Sequence, residues 1–200
     1  MGEIFKLGFI LMLIAVIAAV ALGYVNSITE PIIAEQKEQA KLDAMIDVAA
    51  SLASGELAFD SIQVAGLQNP YAPVDQTLAP VSVSDSAGTV LGYLFIAYGR
   101  GYSSTIQTMV AVDTDGTVTG TTILYQQETP GLGANVSNPD KFLYQFPGNN
   151  FSTLVLSKDG GSLDAITGST ITSRAVTSSV RDGLEALVAS GLLPVEGGVQ

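Results

Sequence analysis

The chain has no cysteine, no histidine and no tryptophan, and only 8 lysines and arginines in 200 residues. Each absence removes a class of chemistry. Without cysteine there is no disulfide, no thiolate nucleophile, no cysteine-ligated zinc and no iron–sulfur cluster. Without histidine there is no Ser-His-Asp triad and no histidine-ligated haem. The 19 acidic residues bring the formal net charge to −11. A nucleic-acid backbone demands a basic footprint, so no nucleic-acid partner is expected. The residues single out neither a catalytic acid–base pair nor a metal-ligating set. An electron carrier built from such a chain needs an organic cofactor.

Charge is also missing from residues 7–25, an apolar run of nineteen residues. That length crosses a bilayer core as a helix. Lys6 and the terminal amine precede the run, and Glu30 comes before Lys37 after it. The bias predicts residues 1–6 in the cytoplasm and the body of the chain outside, in a single-pass protein of the cell membrane. A cleaved signal peptide is the alternative, with Ala18-Ala19-Val20-Ala21 as the small-residue site.

Residues 26–55 read as a stalk helix. Ser27 or Thr29 can cap it, Pro31 suits its first turn, and Gly55 ends it. From Phe59 to Ser86, Pro70, Pro73 and Pro80 predict loop with short extended pieces. Strand signals then follow at 89–98, 106–112 and 117–124, the last two joined at Asp115-Gly116 as a hairpin. Residues 139–146 suggest a short helix and 151–156 another strand. A final amphipathic helix spans 169–189, with Ile171, Val176, Val180, Leu184, Leu187 and Val188 on its apolar face. Strands in a run with helices at the ends give an α+β class with a mostly antiparallel sheet.

The stretch most suggestive of chemistry is Asp164-Ala-Ile-Thr-Gly-Ser-Thr-Ile-Thr172. It is a hydroxyl-rich loop opening a helix. Gly168 permits close backbone approach, and the helix start offers unpaired N–H groups suited to a phosphate. Arg174 lies one turn beyond Thr170, placed to neutralise one. On the residues alone, a plain capping loop, with Thr167 or Ser169 as the cap, is the simpler reading. Likewise Gln126-Gln-Glu-Thr-Pro-Gly-Leu-Gly133 is a turn in its own right, with Pro130 and Gly131 suited to a type II bend.

Together these segments resemble the FMN-binding domain family. The first is similar to its flavinylation motif D-x-[ST]-G-A-[ST]-x-[ST], with Ser169 where alanine is commonest. The second is similar to its H-x-E-T-P-G-L-G segment, with Gln126 in place of the histidine. A third, Tyr98-Gly-Arg-Gly-Tyr-Ser-Ser-Thr-Ile106, resembles the family's glycine-bearing strand entry. Within the family, the resemblance extends over nearly the whole chain to the G subunits of Rnf-type ion-translocating ferredoxin:NAD oxidoreductases. The C subunits of Na⁺-translocating NADH:quinone reductases are the near relatives.

The resemblance implies FMN esterified through its phosphate to Thr170. It implies a flavin site formed by Asp164, Thr167, Gly168, Ser169 and Thr172 with Glu128, Thr129, Gly131, Leu132 and Gly133. Residues 56–200 would be the extracytoplasmic FMN domain. The partners implied are the other subunits of a membrane complex, a flavin transferase for maturation and the bilayer. The role implied is electron relay rather than stand-alone catalysis. The equivalent FMN subunit of a Na⁺-translocating NADH:quinone reductase, an anchored reductase with its own substrate, and a non-redox extracytoplasmic binding module are the other readings.

Overall fold

The computed structural model describes residues 2–62, 71–72 and 80–194. The chain divides into two units, Met1–Leu42 and Asp43–Gln200. The expected loop around Pro70 and Pro73 lies outside the described residues.

Helix α1 runs unbroken over Gly2–Ala49. The span and stalk read from the sequence are therefore one element. The residues expected to cap a second helix sit inside the first: Ser27 Oγ donates to the Tyr24 carbonyl at 2.8 Å, and Thr29 Oγ1 to that of Val25 at 3.0 Å. Hydroxyls that bond back one turn do not interrupt a helix. Pro31 also lies within it. In the first unit, large apolar side chains from Ile4 to Ile33 are exposed. A helix apolar all round with nothing packed on it requires an apolar surrounding, and this one is long enough to cross a membrane.

The second unit is built on a five-stranded antiparallel meander in chain order. Its strands are β1 Ala58–Ser61, β2 Val81–Ser84, β3 Val90–Arg100, β4 Thr105–Asp113 and β5 Val118–Tyr125. Two of its turns use one device. Asp85 Oδ1 accepts the amides of Ala87 and Thr89, and Asp113 Oδ1 those of Asp115 and Thr117. Each aspartate ties the turn ahead of it, as short acceptor side chains do.

Alternation along the strands divides the core between two faces. Phe95, Ala97, Ile106, Val110 and Val112 face helix α2, Thr170–Ala189, through Val176, Val180, Leu184 and Leu187. Leu94, Met109 and Ala111 face the other way, where Val48 and Ala49 of the last α1 turn cover them. Between β5 and α2 the chain forms short 3₁₀ turns at Gly133–Ser137, Leu143–Gln145 and Ser157–Asp159.

Three local readings are corrected. Residues 151–156 form no strand. Asn150 Oδ1 takes the amides of Ser152 and Thr153, winding the segment into a turn, and pairing is limited to one bridge, Leu156 with Leu163. Residues 139–146 reach only the 3₁₀ turn Leu143–Gln145. Ile171, expected on the buried face of α2, is 53% exposed.

Candidate functional site

Segments far apart in the chain converge at the start of α2. Gly168 takes a positive φ of 78° and turns the chain into the helix. Neither hydroxyl acts as the expected cap. Ser169 occupies the cap position but makes no side-chain cap bond, and its Oγ is buried without a partner. The amides of the first turn are thus left free of side-chain caps, at the positive end of the helix.

Glu128 organises the wall opposite. Its Oε1 accepts the Ser103 and Ser104 amides, both at 2.9 Å. Its Oε2 accepts the Tyr102 amide at 3.0 Å and the Thr172 hydroxyl at 2.7 Å. One buried carboxylate therefore ties the β3–β4 loop to α2. Burial pushes its pKa up, but the Thr172 hydroxyl and the Ser103, Ser104 and Tyr102 amides outweigh that and hold it below the usual carboxylate value. Gln126 continues the chain of bonds by accepting the Glu128 amide at 2.7 Å.

Two glycines make room for this carboxylate. A Cβ at Gly101 would lie 2.6 Å from Glu128 Oε1, and one at Gly133 would lie 2.7 Å from Thr172 Oγ1. Between them the Pro130-Gly131 bend forms as expected. Gly131 has φ 77°, and the Leu132 amide donates to the Thr129 carbonyl at 3.1 Å.

These groups line a cleft of about 610 Å³, a size suited to a flat cofactor. Of the residues singled out by sequence, Glu128, Thr129, Leu132, Gly133, Gly168, Ser169, Thr170 and Thr172 line it. Asp164, Thr167 and Gly131 do not. Asp164 is exposed and accepts from Ser157 Oγ at 3.2 Å, while its amide donates to Gln145 Oε1 at 2.6 Å.

Three lining residues escape the sequence reading: Tyr102, Ile171 and Lys158. Tyr102 and Ile171 are exposed and, with Leu132, give the cleft an apolar rim. Lys158 Nζ donates to Thr170 Oγ1 at 2.9 Å. Arg174, by contrast, is not turned to Thr170. Its Nε and Nη2 each bind an Asp159 oxygen at 2.7 Å. That hydrogen bond lowers the Asp159 pKa. The spacing along α2 is right for Arg174, but a better-matched planar acceptor takes the fork.

A hydroxyl at a helix start, a lysine on it and an apolar rim fit a group with a phosphate at one end and a flat ring at the other. Comparison with known proteins agrees. The FMN-binding domain model matches residues 101–185, and the RnfG N-terminal region matches residues 1–48. The G subunit of the Na⁺-translocating ferredoxin:NAD⁺ oxidoreductase complex of Acetobacterium woodii is 35% identical over 91% of this chain and 90% of its own. The G subunit of the proton-translocating ferredoxin:NAD⁺ oxidoreductase complex of Clostridium ljungdahlii is 31% identical over 84% and 83%. The crystal structure of NqrC from Shewanella oneidensis, 19% identical, overlays 78% of this chain and all of its own with a TM-score of 0.53, which shows a shared fold. Identity above 30% along nearly all of both chains, with both family models in register, decides the matter: the chain belongs to the G-subunit family of ion-translocating oxidoreductase complexes and contains that family's FMN-binding domain.

Proposed function

We propose that this chain carries FMN, esterified through its phosphate to Thr170, and relays electrons inside a membrane-bound, ion-translocating ferredoxin:NAD oxidoreductase complex. The observation that carries the reading is the Thr170 hydroxyl, half-buried at the mouth of α2, lining a cleft of flavin size with Lys158 Nζ at 2.9 Å. FMN supplies one- and two-electron redox chemistry, which no side chain of this protein offers.

The chain's own residues bind and orient. Free amides at the α2 start and Lys158 receive the phosphate. Leu132, Ile171 and Tyr102 offer apolar surface to a ring. Glu128 fixes the two walls of the cleft at a set spacing, so a tethered ring meets a formed site rather than a loose one. The tether makes that encounter intramolecular and independent of free cofactor.

Attachment is the work of a separate transferase using a flavin dinucleotide. The Thr170 Oγ1–phosphorus bond forms and the bond to the bridging oxygen of the pyrophosphate breaks. The nucleoside monophosphate leaves, and the hydroxyl proton passes to a base on the transferase. Asp164, exposed and outside the cleft, serves as part of the sequence that the transferase reads.

The apolar part of α1 anchors the chain in the cell membrane with its N-terminus in the cytoplasm and the FMN domain, residues 56–200, outside. Labelling of that domain only from the cytoplasmic side would reverse this topology.

The test of attachment is co-expression with a flavin transferase, denaturation, and measurement of flavin fluorescence and intact mass. Wild type should keep a fluorescent adduct of FMN mass, and Thr170→Ala should lose both. A colourless wild type beside a competent transferase would reject the reading.

A further inference from the structure

We propose that Lys158 is a clamp for the phosphate that joins Thr170 to the flavin, and that it sets the flavin's orientation. The inference rests on the attachment at Thr170 proposed above. It concerns a residue that neither the loop motif nor the helix contributes, since Lys158 belongs to the Ser157–Asp159 turn.

Three observations converge on it. Lys158 Nζ is 2.9 Å from Thr170 Oγ1, the oxygen that becomes the ester oxygen. A phosphorus on that oxygen stands one bond away, so its unesterified oxygens fall within reach of the same ammonium. Lys158 is the single cationic residue among those lining the cleft. Among the described residues it has no carboxylate within ion-pair distance, in a chain of net charge −11.

The neighbouring charges explain why. Asp159 is held by both nitrogens of the Arg174 fork. Glu128, the one acid lining the cleft, is occupied by three amides and the Thr172 hydroxyl. The Asp159–Arg174 pair also fixes the turn against α2, so Lys158 is presented toward Thr170 from a braced position.

Lys158 takes no part in making or breaking the ester. It pairs with the diester once formed and restrains rotation about the tether. Exposed to solvent, this pairing should weaken as salt is raised.

The experiment uses the full chain in detergent, co-expressed with the transferase, as wild type, Lys158→Met and Lys158→Arg. Intact mass reports loading. Polarised flavin fluorescence of the native protein across a salt series reports how firmly the ring is held. Wild type and Lys158→Arg should show high anisotropy that falls as salt rises. Lys158→Met should carry the FMN mass with anisotropy near that of the unfolded, loaded chain and no response to salt. A loaded Lys158→Met with wild-type anisotropy and salt response overturns the clamp and leaves the attachment standing. If Lys158→Met takes up no flavin, Lys158→Arg decides by anisotropy: a loaded Lys158→Arg with high, salt-sensitive anisotropy supports the clamp, and a loaded Lys158→Arg with low anisotropy, or no loading in either variant, overturns it. Failure of the wild type to load overturns attachment and clamp together.

Discussion

At the scale of single residues, Glu128 shows how far sequence reading reaches. Its segment is recognisable, but its role is visible only in three dimensions. The motif suggests a group facing the cofactor, whereas the structure spends the carboxylate on the protein's own amides. Glu128→Gln keeps one acceptor but turns an amide toward the Thr172 hydroxyl and the Tyr102 amide. Loss of these charge-assisted bonds should cost on the order of 2–4 kcal/mol, read as earlier thermal unfolding of the detergent-solubilised chain. The pH dependence has a definite sign. The folded pKa is depressed below the ordinary 4.5. The stabilisation is thus full above the unfolded value and is lost as pH falls through the folded one. The gap between wild type and Glu128→Gln should therefore close on acidification below about pH 4.5. A gap constant from pH 7 to pH 3 would show that the charge on Glu128 does not stabilise the fold. Lys158 and Tyr102 illustrate the opposite limit. Lysine in a Lys-Asp-Gly-Gly turn reads as ordinary solvent-facing sequence, and nothing in its spacing announces a neighbour twelve residues on.

At the scale of elements, the three long strands and the final helix are legible because their apolar patterns have one period each. The pieces that fail are short. Residues 151–156 carry strand-like composition, yet a single Asn150 side chain redirects their amides. The join of helix and sheet leaves a different trace. Ala175, Ser179 and Gly183 recur every four residues along α2. Ala175 and Ser179 meet the sheet at Gly99, and Gly183 meets it at Phe95. Gly183 leaves no room at all, because a Cβ there would run into the Phe95 ring. Gly183→Ala should therefore lower stability despite alanine's better helix propensity, by about 1–3 kcal/mol as overpacking does. A rise in the unfolding temperature would mean that the Phe95 ring yields and the contact has room to spare. The signal is present in the sequence as small residues four apart, but small residues are too common on helices to be read without the partner surface.

At the scale of the whole molecule, composition and backbone change at different places. Composition changes at residue 26, where apolar gives way to polar, but the backbone continues helical to Ala49. Composition responds to the surroundings of a segment, and helix formation responds to local geometry, so the two need not change together. The second unit begins at Asp43, inside α1, and the turn it gains carries Val48 and Ala49, 5% and 0% exposed. Two truncations separate these views. A chain starting at residue 43 should fold as a soluble domain. One starting at residue 51 should be weaker by about 2–3 kcal/mol, the burial lost at Val48 and Ala49, with Leu94, Met109 and Ala111 newly open. Equal urea midpoints for the two would show that the last helical turn adds nothing to the sheet.

The Asp159–Arg174 fork also bears on which form of flavin the cleft prefers. By withdrawing the one nearby guanidinium, it leaves a single full positive charge, together with the helix end, worth roughly half a charge. A phosphate monoester such as free FMN brings close to two negative charges at neutral pH, whereas the diester at Thr170 brings one. Lys158 and the helix end together, about one and a half charges, exceed what the diester needs and fall somewhat below what the monoester brings. Were Arg174 free to turn to Thr170, the cleft would gain a further full charge, which the proposed diester does not need and a free monoester would use. The ion pair that looks like simple surface bracing thereby keeps the cleft from favouring a flavin that diffuses past.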